Sequence, residues 1–114
     1  MRKFSLLYCL AFSVATPAHA EGDYDRGKEL AKSWECAHCH GLSGNDRWPD
    51  NPDKAAVPMI AGQPTRYLVK ALKEFRAGDR IDDSHLKKMS LITGQLSDRD
   101  IEDISAYYSA QKRY

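Results

Sequence analysis

The stretch CAHCHG, residues 36 to 41, sets Cys36 and Cys39 three positions apart and follows the second thiol directly with His40. Three chemistries use paired cysteines at this spacing. A structural zinc site needs four ligands, commonly from a second Cys-x-x-Cys or a spaced His pair further along the chain. None follows here: His38 and His40 lie inside the motif, and His85 stands alone. A thioredoxin-like dithiol needs a strand before the motif and a βαβ frame around it. Covalent haem attachment needs only what is present. The two thiols add to the two vinyl groups of the porphyrin, and the adjacent histidine is aimed at the iron from below the ring.

The residues upstream agree with that third reading. Met1-Arg2-Lys3 is cationic, Phe4 to Ala15 is almost wholly apolar, and Ala18-His19-Ala20 has the small-x-small form of a signal-peptidase site. The apolar run is well short of the roughly 20 residues a membrane-spanning helix needs. Residues 1–20 are therefore expected to be a cleaved signal peptide that directs a soluble domain, residues 21–114, to the periplasm, where bacteria attach haem c. Cys9 leaves with the signal, and no lipobox precedes it. Cleavage leaves two cysteines, and 15 basic side chains against 16 acidic ones. Such a balance offers no basic stripe for nucleic acid. The 94 remaining residues make one small domain, for which support from a cofactor is plausible.

Downstream the pattern is helical throughout. Asp23 can cap a first helix that runs to about Trp34, with Tyr24, Gly27, Leu30, Ala31 and Trp34 on one face. Residues 41 to 58 hold three prolines and two glycines and read as a long surface loop. Thr65 is expected to cap a helix whose apolar stripe is Tyr67, Leu68, Ala71, Leu72 and Phe75, stopped by Gly78. A short helix is expected over 85–93, ending at Gly94. Ser97 and Asp100 resemble a capping box before a last helix with Ile101, Ile104, Tyr107 and Tyr108 inside. No sustained strand alternation is present, so the domain is expected to be all-α.

With these residues in place, the chain resembles class I c-type cytochromes, most of all the short bacterial monohaem proteins of cytochrome c-553 type and single domains of their dihaem relatives. The likeness is carried by CAHCHG at 36 to 41, PMIAGQPTRYLVKALKEFRAGDR at 58 to 80, MS at 89 to 90 and LSDRDIEDISAYYS at 96 to 109. It implies a cytochrome c fold of about four to five helices around one covalent haem c. It also implies that Pro58 gives its carbonyl oxygen to the ring N–H of His40, that Ile60 packs on the porphyrin, and that Gly27 lets the first helix cross the last near Tyr107 or Tyr108.

The second axial position has three candidates: Met59, His85 and Met89. Met59 is 19 residues after His40, inside the Pro-Met-Ile-Ala-Gly run; Met89 is 49 residues after it, beyond the Thr65 helix, and matches the family's axial methionine. Met89 is the favoured ligand. Met/His ligation raises the reduction potential and leaves no vacant coordination position, which restricts the chemistry to one-electron transfer. The expected function is that of a periplasmic electron carrier serving periplasmic or membrane-bound redox proteins, and not of an enzyme. The alternatives are the haem-bearing subunit of a larger dehydrogenase, or a gas-binding or peroxidase-like haem with an open site. Arg47 and Trp48 are candidates to cover the propionate edge, and Lys87 and Lys88 to steer an acidic partner.

Overall fold

The computed structural model describes residues 22–47 and 57–114. The expected signal segment and Trp48 lie outside the described residues. Among the described residues there are five α-helices, one 3-10 turn and no strand: α1 Tyr24–Ser33, α2 Cys36–His40, α3 Thr65–Ala77, the 3-10 turn His85–Lys87, α4 Lys88–Thr93 and α5 Asp98–Ser109. None of these helices is long and apolar enough to cross a membrane.

Local chemistry explains where α1 and α5 begin. Asp23 accepts a hydrogen bond from the Arg26 amide at 3.0 Å, starting α1. At α5 the capping box is complete: the Asp100 amide donates to Ser97 Oγ at 3.1 Å, and the Ser97 amide donates to Asp100 Oδ2 at 3.0 Å. The two helices then lock together. Arg26 reaches Asp100 and Asp103 at 2.6 Å each, and the Asp23 amide donates to Asp103 at 2.7 Å. Gly27 sits at the crossing, where an added Cβ would fall 1.9 Å from the Asp103 carbonyl oxygen and 3.0 Å from Tyr107 Cβ. Of the two tyrosines expected there, Tyr107 is the neighbour.

α3 packs on α5 and α4. The core is built from Ala31, Leu68, Leu96, Ile101, Ile104, Tyr107 and Tyr108, so α5 supplies most of its bulk. Gly78 ends α3 in the left-handed region, at φ 78°, as expected for a glycine stop.

Three expectations are corrected. The N-cap of α3 is Pro64, and Thr65 is the first helical residue, with no side-chain cap bond; the fixed φ of proline starts this helix. Tyr67 is not part of the buried protein core that α3 shares with α5: it is 46 % exposed, and its hydroxyl takes a hydrogen bond from Arg80 at 3.2 Å. The single helix expected over 85–93 is broken, because Leu86 and Lys87 take left-handed φ values of 54° and 53°, leaving a 3-10 turn followed by α4. The apolar period sees side chains, not a backbone reversal.

Candidate haem site

α2 is a helix of five residues that begins just after Glu35, itself left-handed at φ 63°, and ends at Gly41, at φ 80°. One turn thus carries Cys36, Cys39 and His40. Neither cysteine is in a disulfide. Burial pushes the Cys36 thiol up to about 11, helped by Cys39 and opposed by a backbone hydrogen bond. A thiol held protonated is poorly suited to be the thiolate nucleophile of a redox dithiol. Among the described residues no group of three or more His, Cys, Asp or Glu side chains converges to hold a metal ion. A zinc tetrahedron has no such cluster to form on among the described residues.

His40 is 7 % exposed, and its Nδ1 lies 2.9 Å from the carbonyl oxygen of Pro58. A carbonyl can only accept, so Nδ1 carries the proton and the lone pair is left on Nε2. Burial lowers the imidazole pKa, with the Pro58 carbonyl acting the other way, so the neutral, ligating form is favoured.

The backbone around this bond is fixed from several sides. The Ile60 and Ala61 amides both donate to the Gly44 carbonyl at 2.9 Å, and the Asp46 amide donates to the His40 carbonyl at 3.0 Å. The Tyr108 hydroxyl donates to the Gly41 carbonyl at 3.1 Å, and that of Tyr107 to the Leu42 carbonyl. Gly44 has φ 74°, and a Cβ there would meet Tyr108 Cδ1 at 2.8 Å and the Ala61 amide nitrogen at 2.9 Å. The tyrosine hydroxyls of α5 therefore hold residues 41 and 42 just after His40, and the Gly44 carbonyl holds the 60–61 backbone just after Pro58. The apolar period places these tyrosines in the core, and the resemblance puts one at the Gly27 crossing; two adjacent tyrosines on a buried face, each needing a hydroxyl partner, are the signal for this further role.

Ile60 is half-buried against the core, as are Trp34, Cys36, Leu72 and Ile92. Tyr67, Ile81, Leu86 and Leu91 are exposed. A helix bearing two thiols and a neutral imidazole, bordered by half-buried apolar side chains, fits a flat apolar porphyrin, with Cys36 and Cys39 to hold it and His40 to ligate it.

The candidates for the second ligand are spread apart in the chain. Met59 is half-buried next to Pro58, and its carbonyl accepts from Arg113 at 3.1 Å. His85 is exposed at the start of the 3-10 turn, and Met89 is half-buried in the first turn of α4. Arg47 is exposed. Lys88 reaches Glu35 at 3.3 Å, tying α4 to the residue before Cys36, while Lys87 is exposed.

The Cytochrome c family profile matches residues 24–111. Cytochrome c4 of Stutzerimonas stutzeri is 37 % identical over 98 % of this chain and 52 % of that protein. The chain spans about half the length of this relative and of cytochrome c4 of Pseudomonas aeruginosa, which is also 37 % identical. Cytochrome c-554(548) of Halomonas halodenitrificans is 35 % identical over 80 % of this chain and 99 % of its own length. The crystal structure of reduced recombinant cytochrome c4 from Pseudomonas stutzeri matches with a TM-score of 0.62 and 35 % identity, covering 82 % of this chain and 47 % of that one. Its described residues are all-helical, its Cys36-x-x-Cys39-His40 turn fits one covalent haem c, and this chain belongs to the cytochrome c family.

Proposed function

We propose that this domain is exported and acts as a periplasmic one-electron carrier, with haem thioether-linked to Cys36 and Cys39 and its iron between His40 and Met89. The observation that carries this reading is the 2.9 Å bond from His40 Nδ1 to the Pro58 carbonyl, on the same short helix as both thiols. A bound haem c supplies a metal centre that gains and loses one electron. The chain does the rest. Cys36 and Cys39 would hold the ring, Pro58 orients the His40 imidazole that would ligate the iron, and the Met89 thioether would be the second ligand, closing the iron to external ligands. Periplasmic or membrane-bound redox proteins are the proposed partners, reached through the exposed rim at Lys87.

The ligand set is tested by substitution. In the ferric holoprotein a weak far-red charge-transfer band reports iron–sulfur coordination. Met89→Ala should abolish the band, lower the reduction potential and admit carbon monoxide to the reduced iron; Met59→Ala should do none of these. Equal effects from both substitutions, or ready carbon monoxide binding by the unaltered protein, would refute the closed Met89 site.

A further inference from the structure

The route into Met89 is unusual for so short a helix. Leu86 and Lys87 are consecutive left-handed residues, a conformation that side chains with a Cβ avoid. The N-cap of α4, Lys87, offers no side-chain acceptor to the amides of the first turn. Two residues from the other side of the turn do so instead. Asp82 Oδ2 accepts from the Ser90 amide at 2.7 Å, and Ser84 Oγ accepts from the Met89 amide at 3.1 Å. Asp82 Oδ1 in turn accepts from the Ser84 amide at 3.0 Å and from the Ser84 hydroxyl. On the far side, Thr93 is fully buried and its hydroxyl donates to the Met89 carbonyl at 2.8 Å. Met89 is thus the residue of α4 whose amide and carbonyl are both held by side-chain hydroxyls.

We infer that Asp82 and Ser84 are positioning residues for the iron's second axial ligand, bracing a strained turn so that the Met89 thioether stays where the iron needs it. The inference rests on the Met89 reading above. A thioether is an uncharged ligand, and its occupancy depends on how little freedom its backbone must give up to reach the metal. Without the brace, Leu86 and Lys87 can relax from the left-handed region and carry the start of α4 away. Each brace bond satisfies an amide that α4 cannot satisfy itself, and the bonds to Asp82 are charge-assisted. The brace therefore acts on the equilibrium between ligated and open iron.

Imidazole titration of the ferric holoprotein, read in the Soret band, measures that equilibrium, because imidazole binds only the open form and its apparent affinity scales with the open fraction. Asp82→Ala should tighten imidazole binding by about tenfold, the loss expected for a charge-assisted hydrogen bond. Ser84→Ala should shift it in the same direction, and Ser84→Thr, which keeps the hydroxyl, should stay near the unaltered protein. Asp82→Asn keeps one acceptor oxygen and should show the same direction of change should the alanine variant fail to fold. Asp98→Ala, which removes an exposed 2.6 Å ion pair between Asp98 of α5 and Arg76 of α3, is the control for general destabilisation and should leave imidazole affinity unchanged. Affinity within about twofold of the unaltered protein in Asp82→Ala and Ser84→Ala, or an equal rise in Asp98→Ala, overturns the inference. The two readings fail separately: loss of the far-red band in Met89→Ala with silent Asp82 variants sinks the brace alone. An unaltered protein with no such band sinks the axial assignment and the brace with it.

Discussion

Gly27 shows how much a single residue can decide. A Cβ placed there would lie 1.9 Å from the Asp103 carbonyl oxygen, a backbone atom that cannot swing aside, and one at Gly22, just before the α1 N-cap, would lie 2.2 Å from the Glu102 carbonyl oxygen. The α1–α5 crossing therefore depends on these two positions having no side chain. Gly27→Ala should force the helices apart, pulling Arg26 from Asp100 and Asp103 and costing about 3 kcal/mol or more, the upper part of the range for overpacking. Chemical denaturation of the holoprotein checks this, and a variant as stable as the unaltered protein would show that the helices can separate freely. From sequence, Gly27 alone was an unexplained glycine in a helix; its need lies in a residue 76 positions away. Cys36, Cys39 and His40 were legible because their chemistry is contained in one turn. The Pro58 contact came from resemblance, since nothing local says which carbonyl an imidazole will meet.

At the scale of elements, what could be read depended on whether the stabilising bond is local. The capping box of α5 spans four residues, and Ser97 and Asp100 announced it. Its electrostatics make a pH prediction. Asp100 has a lowered pKa, first through the Ser97 amide, against desolvation, and then through Arg26 and the Ser97 hydroxyl. A carboxyl depressed on folding adds stability that is fully present above its unfolded value of about 3.9 and is lost as pH falls through the folded value. The melting-temperature gap between the unaltered protein and Asp100→Asn should therefore be open at pH 7 and close as pH falls below about 4. A gap that stays constant to pH 2 would mean that the carboxylate charge contributes nothing. α4 is the opposite case. The turn before it is set by Asp82 reaching eight residues forward to Ser90, and no apolar period or capping pattern encodes that reach. Asp82 itself is held below the ordinary carboxylate range: desolvation, the largest influence, pushes upward, but the bonds from Ser84 and Ser90 together outweigh it. Likewise Thr65 looked like a cap because the residue type is right, whereas Pro64 occupies the position.

For the whole molecule, the protein part of the core is small. The buried apolar side chains among the described residues are Leu68, Leu96, Ile101, Ile104, Tyr107, Tyr108 and three alanines. Most of the large ones belong to α5 or to the Leu96 turn before it. α1 contributes Ala31, and α3 contributes Leu68 and Ala71, so each of these helices has little apolar area of its own to offer α5. A core this thin leaves a domain of this size with little stability to spare, and a haem held by Cys36 and Cys39 would add apolar surface for α1, α3 and α5 to pack on. The attachment thiols then become folding residues as well as cofactor residues. With both Cys36→Ala and Cys39→Ala, the haem-free chain should lose most of its far-ultraviolet helical signal at 25 °C and show no cooperative thermal transition. The strongest helix, α5, should persist only as a fraying remnant, because an isolated 12-residue helix is marginal in water. A haem-free variant that melts cooperatively with the helix content of the holoprotein would show that α1, α3 and α5 are self-sufficient, and that the porphyrin enters a domain already folded.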